Sequence, residues 1–125
     1  MNKDTANDRR HAAKILAHIA DIGRVLELEK IDSSSDLAGS IAAKFAVTQL
    51  ITNIYELTRG MQPATLQALN EFGKIRLRTT RQIASHDYGA MDFRLVYVIA
   101  AKLTSQQVRN ELSNFIKEAR NGNRK

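Results

Sequence analysis

The chain has 125 residues, which is the length of one domain that can bury a single core without disulfides or metals. It contains no cysteine, which excludes a disulfide framework, a thiolate nucleophile and a cysteine-based zinc site. It also has no apolar stretch long enough to cross a membrane. We therefore expect a cytoplasmic protein. The 19 lysines and arginines outnumber the 13 carboxylates, and the net charge of +6 favours an anionic partner such as nucleic acid, a nucleotide or an acidic protein surface.

Apolar residues recur at helical spacing through the chain, and the alternation typical of strands is missing. A first helix is predicted over about residues 8–30 and a second over about residues 36–59, ending at Gly60. The polar segment IDSSSD separates them, and Asp36 at its end is the predicted cap. The predicted buried residues are Ala12, Ile15, Leu16, Ile19, Ile22 and Leu26 in the first helix, and Leu37, Ile41, Phe45, Ile51, Ile54 and Leu57 in the second.

A third helix is predicted from Pro63, which suits a first helical turn, to about His86, and Gly89 ends that segment. Asp92 is the predicted N-cap of a fourth helix, and Ser105 is the predicted N-cap of a last one. The predicted apolar residues are Leu66, Leu69, Phe72, Ile75 and Ile83 in the third helix, Phe93, Val96, Val98, Ile99 and Leu103 in the fourth, and Val108, Leu112, Phe115 and Ile116 in the last.

These elements predict an all-α fold, an antiparallel bundle of four or five helices, because the connections between them are short. One proline and six glycines leave long uninterrupted stretches for the helices. No internal repeat or linker divides the chain, so residues 1–125 are predicted to form one domain with a basic tail at about residues 120–125.

The sequence motifs of cofactor and metal sites are missing. No G-x-x-x-x-G-K-[ST] loop, G-x-G-x-x-G turn or H-E-x-x-H pair occurs. His11 and His18 lie about 10 Å apart along the axis of one predicted helix, too far to share a metal directly, and no acidic residue completes a cluster. We therefore expect two surface histidines, no metal and no cofactor.

A polar stripe follows the third predicted helix. Its members lie within about 40° of one line along the helix, and they are Lys74, Arg78, Arg81, Ser85 and Tyr88. Three cations with an aromatic ring at the end could lie along a phosphate backbone, with the tyrosine stacking on a base. The alternative is the solvated face that every amphipathic helix has.

His86 lies about 140° from Arg81 on the same helix, beside the apolar face. A straight helix therefore keeps the two side chains apart, and they meet only if the helix unwinds before His86 or a second subunit supplies one of them. Together they could cleave RNA without a metal, because histidine moves protons to and from a 2′-hydroxyl or a leaving 5′-oxygen. Arginine holds the phosphate and stabilises the charge that develops on it.

The stretch RQIASHDY contains Arg81, His86 and Tyr88 in the order Arg, four residues, His, one residue, Tyr. A cysteine-free helical chain of this length with that motif late in its third long helix resembles the HEPN superfamily, and more narrowly the HepT-type toxins. The resemblance covers most of the chain. It implies a homodimer whose paired motifs form one cleft, and a metal-independent endoribonuclease that acts as the toxin of a toxin–antitoxin pair.

The resemblance also implies a partner and a regulation. The partner is a minimal nucleotidyltransferase antitoxin, which silences the toxin by adding AMP to the motif tyrosine, Tyr88 in this chain. Lys74 and Arg78 are expected to guide the RNA. The residue after the motif arginine is Gln82, where the commonest pattern has asparagine, and this leaves open a non-catalytic HEPN module for RNA binding or assembly.

Overall fold

The structure is a computed structural model that describes residues 3–75 and 91–122. Every regular element in those two ranges is an α-helix, and they contain no strand. In chain order the helices are α1 (Lys3–Leu28), α2 (Ser34–Gly39), α3 (Ile41–Arg59), α4 (Pro63–Ala68), α5 (residues 70–75, as far as it is described), α6 (Phe93–Leu103) and α7 (Gln106–Gly122). The predicted all-α helical bundle is confirmed over these residues.

Helix α1 packs along both α3 and α7, and α6 packs against α2, α3 and α7. Asp8, near the start of α1, is hydrogen-bonded to Gln62, just past the end of α3. Helix α3 therefore runs antiparallel to α1, as the short connections predicted. No helix in the described ranges is long and apolar enough to cross a membrane.

The apolar stripe predicted for the first helix is confirmed. Ala12, Ile15, Ile19 and Ile22 are fully buried, while Leu16 and Leu26 pack against the core and keep part of their surface in solvent. Helix α1 ends at Leu28 rather than at Lys30. The amide of Lys30 donates to the Glu27 carbonyl and the next amide to that of Leu26, which is a Schellman ending, and Lys30 itself adopts a φ of 56°.

The predicted continuous helix over residues 36–59 is wrong, because the chain breaks at Ser40. This residue has extended backbone angles (φ −111°, ψ 108°), and its hydroxyl accepts a hydrogen bond from the amide of Ala43 at 3.1 Å. Serine competes for backbone partners and so favours helix starts over helix interiors. The predicted cap is also displaced, because Ser33, not Asp36, caps α2 by accepting from the Asp36 amide at 3.1 Å.

The buried face of α3 differs from the predicted one. Ile41 is 70% exposed and Phe45 is 51% exposed, although both were predicted to be buried. The face that is buried consists of Ala43, Val47, Thr48, Ile51, Ile54 and Thr58. Phe45 falls between two members of that stripe, and so it points away from it. Val98 in α6 is 41% exposed, because it lies between the buried Val96 and Ile99 in the sequence and so points away from the buried face of α6.

The described part of the third predicted helix is also broken. Leu69 has a ψ of 70°, so α4 and α5 are separate helices. Pro63 occupies the first turn of α4, and Leu66, Leu69, Phe72 and Ile75 are buried as predicted. The predictions for Ile83, His86 and Gly89 lie outside the described residues.

The predicted caps of the last two helices are confirmed. Asp92 accepts a hydrogen bond from the Arg94 amide at 3.0 Å, and that bond lowers the pKa of the Asp92 carboxyl. Ser105 accepts one from the amide of Val108 at 3.3 Å. Val108 and Leu112 are buried in α7, and Phe115 and Ile116 pack partly against the core. Gly60 ends α3 as predicted.

Candidate nucleic-acid interface

Lys74 is the predicted site residue that lies within the described part of the chain. The other predicted site residues belong to residues 76–90 and lie outside it, namely Arg78, Arg81, Gln82, His86 and Tyr88. The meeting of Arg81 with His86 therefore stays a prediction. The structure does describe α5, the helix immediately before that segment, and the helices that pack against α5.

Lys74 projects into solvent from α5, as a cation that guides RNA must. Its side chain is 68% exposed, and its Nζ lies 3.3 Å from Oε1 of Glu71 on the preceding turn. An exposed ion pair of this kind contributes about 0–1 kcal/mol. The ammonium can therefore exchange the Glu71 carboxylate for a phosphate at small cost.

The start of α5 is held by a carboxylate from α7. Glu111 accepts a hydrogen bond from the amide of Glu71 at 3.0 Å through Oε2, and one from the amide of Phe72 at 3.2 Å through Oε1. These amides belong to the first turn of α5, where a helix has donors without partners of its own. A negative charge at that end is also favourable to the helix dipole. Glu111 thereby caps the start of α5, the last described helix before the motif in the chain.

Phe72 and Gly73 fix α5 against the rest of the bundle. The Phe72 ring is 1% exposed and lies in the core. A Cβ atom added to Gly73 would lie 2.5 Å from the carbonyl oxygen of Leu66 in α4. Glycine is required here because α4 and α5 approach backbone to backbone at this point.

A buried carboxylate ties the start of α1 to the corner between α3 and α4. Asp8 is 1% exposed. Its oxygens accept from the amide of Gln62 at 3.2 Å, from Nε2 of Gln62 at 2.8 Å and from the hydroxyl of Thr65 at 2.5 Å. Three donors offset the cost of burying the charge. The sequence pattern assigned Asp8 only to a helix start, because its partners lie more than fifty residues away.

The corner that Asp8 holds forms one wall of an open groove of about 570 Å³. Its lining residues come from the end of α3, from α4 and from α5, and they are Thr58, Arg59, Met61, Pro63, Leu66, Gln67, Asn70, Gly73 and Lys74. Among these described lining residues there are two cations and no carboxylate. Sequence reasoning missed the groove, since no single helix carries its pattern.

The two histidines of α1 are half-buried rather than fully on the surface. Nδ1 of His11 lies 2.7 Å from the carbonyl oxygen of Asn7, one turn earlier. A Cβ atom added to Gly60 would lie 3.0 Å from Nε2 of His11, so that ring packs against the end of α3. Within residues 3–75 and 91–122, no three histidine, aspartate or glutamate side chains are grouped so that they could hold a metal ion.

Comparison of the chain with protein-family models, with curated proteins and with solved structures finds no match. The resemblance to HepT-type toxins therefore depends on the spacing of Arg81, His86 and Tyr88 in the sequence and on the all-helical architecture around that stretch.

Proposed function

We propose that the protein is the toxin of a toxin–antitoxin pair, a metal-independent endoribonuclease that cleaves RNA in a composite cleft of a homodimer. The observation that carries the proposal is the Arg-x4-His-x-Tyr spacing of RQIASHDY. Three features support it: the all-helical scaffold of the described residues, the net charge of +6, and the exposed Lys74 on α5, which precedes the motif in the chain.

The residues of the motif divide the chemistry between them. The 2′-oxygen of the ribose attacks the adjacent phosphorus, the bond from phosphorus to the 5′-oxygen breaks, and a 2′,3′-cyclic phosphate forms. His86 takes the proton from the 2′-hydroxyl or supplies one to the leaving 5′-oxygen. Arg81 binds the phosphate and stabilises the charge that develops on it. Gln82 supports the position of these groups through its amide.

In this proposal, the homodimer brings together Arg81 and His86, which one straight helix would keep apart. Arg81 and His86 project from different sides of a straight helix. Two copies related by a two-fold axis place the arginine of one protomer beside the histidine of the other. We propose that this pairing, rather than a single chain, makes the active site, and that Lys74 and Arg78 guide the RNA into it.

In this proposal, Tyr88 is the residue that the antitoxin modifies to silence the toxin. A minimal nucleotidyltransferase antitoxin transfers AMP from ATP to the Tyr88 hydroxyl, breaking the bond between the α- and β-phosphates, and releases pyrophosphate. The added nucleotide brings bulk and negative charge to the cleft, where they repel the RNA phosphate. Tyr88→Phe removes the acceptor oxygen and keeps the ring, so that this variant is expected to escape silencing by the antitoxin.

Expression in a bacterial host tests the function. The wild type is expected to arrest growth, His86→Ala to be harmless, and His18→Ala, a control outside the motif, to arrest growth like the wild type. Co-expression with the nucleotidyltransferase is expected to restore growth and to add the mass of one AMP unit to the wild type. Full toxicity of a folded His86→Ala variant would refute the mechanism.

A second candidate is a non-catalytic HEPN module for RNA binding or assembly, and the glutamine at position 82 favours it. In this candidate, the longer side chain of Gln82 keeps the amide from the place that asparagine would give it, so that Gln82 does not position the catalytic groups. This candidate predicts that Arg78→Gln weakens RNA binding and flattens its salt dependence. His86→Ala would then leave binding unchanged, and no RNA would be cut by the wild type.

A further inference from the structure

The groove between α3, α4 and α5 has the size and chemistry of a ligand site. Its volume of about 570 Å³ lies within the range of roughly 300–1,000 Å³ that is typical of ligand pockets. Pro63 provides exposed apolar surface, and the buried Met61 and Leu66 lie behind it. The amides of Gln67 and Asn70 are exposed at the same groove.

Two cations contribute to the groove, one from each end of the segment that forms it. Arg59 is 63% exposed and pairs with Glu56 at 3.5 Å, and Lys74 is 68% exposed and pairs with Glu71 at 3.3 Å. Both glutamates lie one turn before their partners and outside the lining of the groove. Since each pair is exposed, it contributes about 0–1 kcal/mol, and an anionic ligand can displace it.

We propose that this groove binds one nucleotide of single-stranded RNA. Arg59 and Lys74 hold the phosphates on either side of the nucleotide. The base packs on Pro63 and meets the amides of Gln67 and Asn70 along its edge. The proposal takes its substrate from the endoribonuclease function above, but the binding that it describes does not depend on catalysis.

A single strand fits the groove better than a duplex does. The amides can reach the edge of a base only when that base is unpaired, as in RNA loops and ends. In a duplex the Watson–Crick edges are occupied, and only the phosphates would be left to meet Arg59 and Lys74. The groove should therefore add affinity for single-stranded RNA beyond the attraction of a basic surface for any polyanion.

Arg59→Gln tests the proposal, with Arg24→Gln as a matched control. Arg24 is 70% exposed and pairs with Asp21, also three residues earlier and also at 3.5 Å, but it lies on α1 away from the groove. The probe is a short labelled 2′-O-methyl oligonucleotide, which cannot be cleaved because its 2′-oxygen is blocked. Fluorescence anisotropy measures its affinity, as a single strand and annealed to its complement, across a range of salt concentrations.

Arg59→Gln is expected to weaken binding of the single strand about fivefold at low salt and to reduce the slope of log affinity against log salt by about 0.7. Lys74→Gln is expected to do the same, and Arg24→Gln to match the wild type. Equal affinities of Arg59→Gln and Arg24→Gln would overturn the proposal. An equal loss of affinity for the duplex would also overturn the proposal, since Arg59 would then contribute only to the electrostatic attraction of the basic surface for any polyanion.

The experiment separates this proposal from the proposed function. If Arg59→Gln binds the single strand normally while His86→Ala loses RNA cleavage, the groove proposal fails and the endoribonuclease stands. If Arg59→Gln weakens binding while the wild type cuts no RNA, the groove stands and the protein is a binding module. Circular dichroism of each variant establishes that it is folded, which the exposure of these side chains predicts.

Discussion

The carboxylate of Glu111 in α7 accepts a hydrogen bond from the amide of Phe72 in α5 at 3.2 Å, across 39 residues of sequence. Through this contact α7 holds the first turn of α5, the last described helix before the predicted catalytic motif in the chain. The Phe72 side chain is buried in the core, so the same residue donates its amide to the cap of α5 and packs its ring in the core.

Removal of the Glu111 side chain should therefore destabilise the protein. Glu111→Ala leaves two amides of α5 without their acceptor, and we expect a loss of about 1–2 kcal/mol in the free energy of unfolding. Glu118→Ala, an exposed position on the same helix, is the control and should change that free energy by less than about 0.5 kcal/mol. Urea unfolding followed by circular dichroism measures both, and equal stabilities would show that the cap contributes nothing.

Asp8→Asn should lower stability through the corner between α3 and α4. The carboxylate accepts from three donors, whereas an asparagine amide presents its own N–H groups to some of them. We expect a cost of about 1–3 kcal/mol. Asp4→Asn, at an exposed position in the first turn of α1, should cost a few tenths of a kcal/mol (~0.3). Thermal unfolding compares the two, and a midpoint for Asp8→Asn as high as that for Asp4→Asn would contradict the structure.

Lys30→Gly should stabilise the protein. Lys30 ends α1 at a φ of 56°, a backbone conformation that costs a side-chain-bearing residue about 1 kcal/mol and glycine almost nothing. We expect a gain of about 0.5–1 kcal/mol. Glu29→Gly, one residue earlier, has no such strain to relieve and should be neutral or destabilising. A Lys30→Gly variant that unfolds at a lower urea concentration than the wild type would contradict the left-handed conformation of Lys30 at the end of α1.

Gly73→Ala should be destabilising, because its methyl group would meet the Leu66 carbonyl oxygen and force α4 and α5 apart. Overpacking of this kind costs about 1–3 kcal/mol. Gly39→Ala is the matched control, since nothing lies within 4 Å of its added Cβ, and this substitution should be neutral or stabilise by about 0.4–1 kcal/mol. Urea unfolding should show a destabilised Gly73→Ala variant and a Gly39→Ala variant that is at least as stable as the wild type, and a stabilising Gly73→Ala would rule out the close approach.

Local signals in the sequence predicted four of the helix ends in the described ranges. Asp92, Ser105, Gly60 and Pro63 act within a turn of their own positions, so residue type and spacing were enough to place them. The break at Ser40 was missed because the apolar spacing continues through it, so periodicity alone gave no sign of two helices.

The contacts that hold the candidate site were beyond sequence reasoning for a different reason. Asp8 and Glu111 find their partners 54 and 39 residues away, and a polar residue on a helix gives no sign of which distant amide it will meet. The groove likewise joins three helices. The motif itself is visible in the sequence because its three residues lie within one short stretch, Arg81 to Tyr88, and its role stays a prediction.

RNA cleavage by the purified chain in EDTA tests the central claim most directly. Total RNA and tRNA are incubated with the wild type, with His86→Ala and with His18→Ala, after mass spectrometry has shown Tyr88 to be unmodified. The expected result is fragments with 2′,3′-cyclic phosphate ends from the wild type and from His18→Ala, and intact RNA with His86→Ala. Intact RNA in all three reactions, with every chain folded, would contradict the endoribonuclease and leave RQIASHDY as part of a binding module.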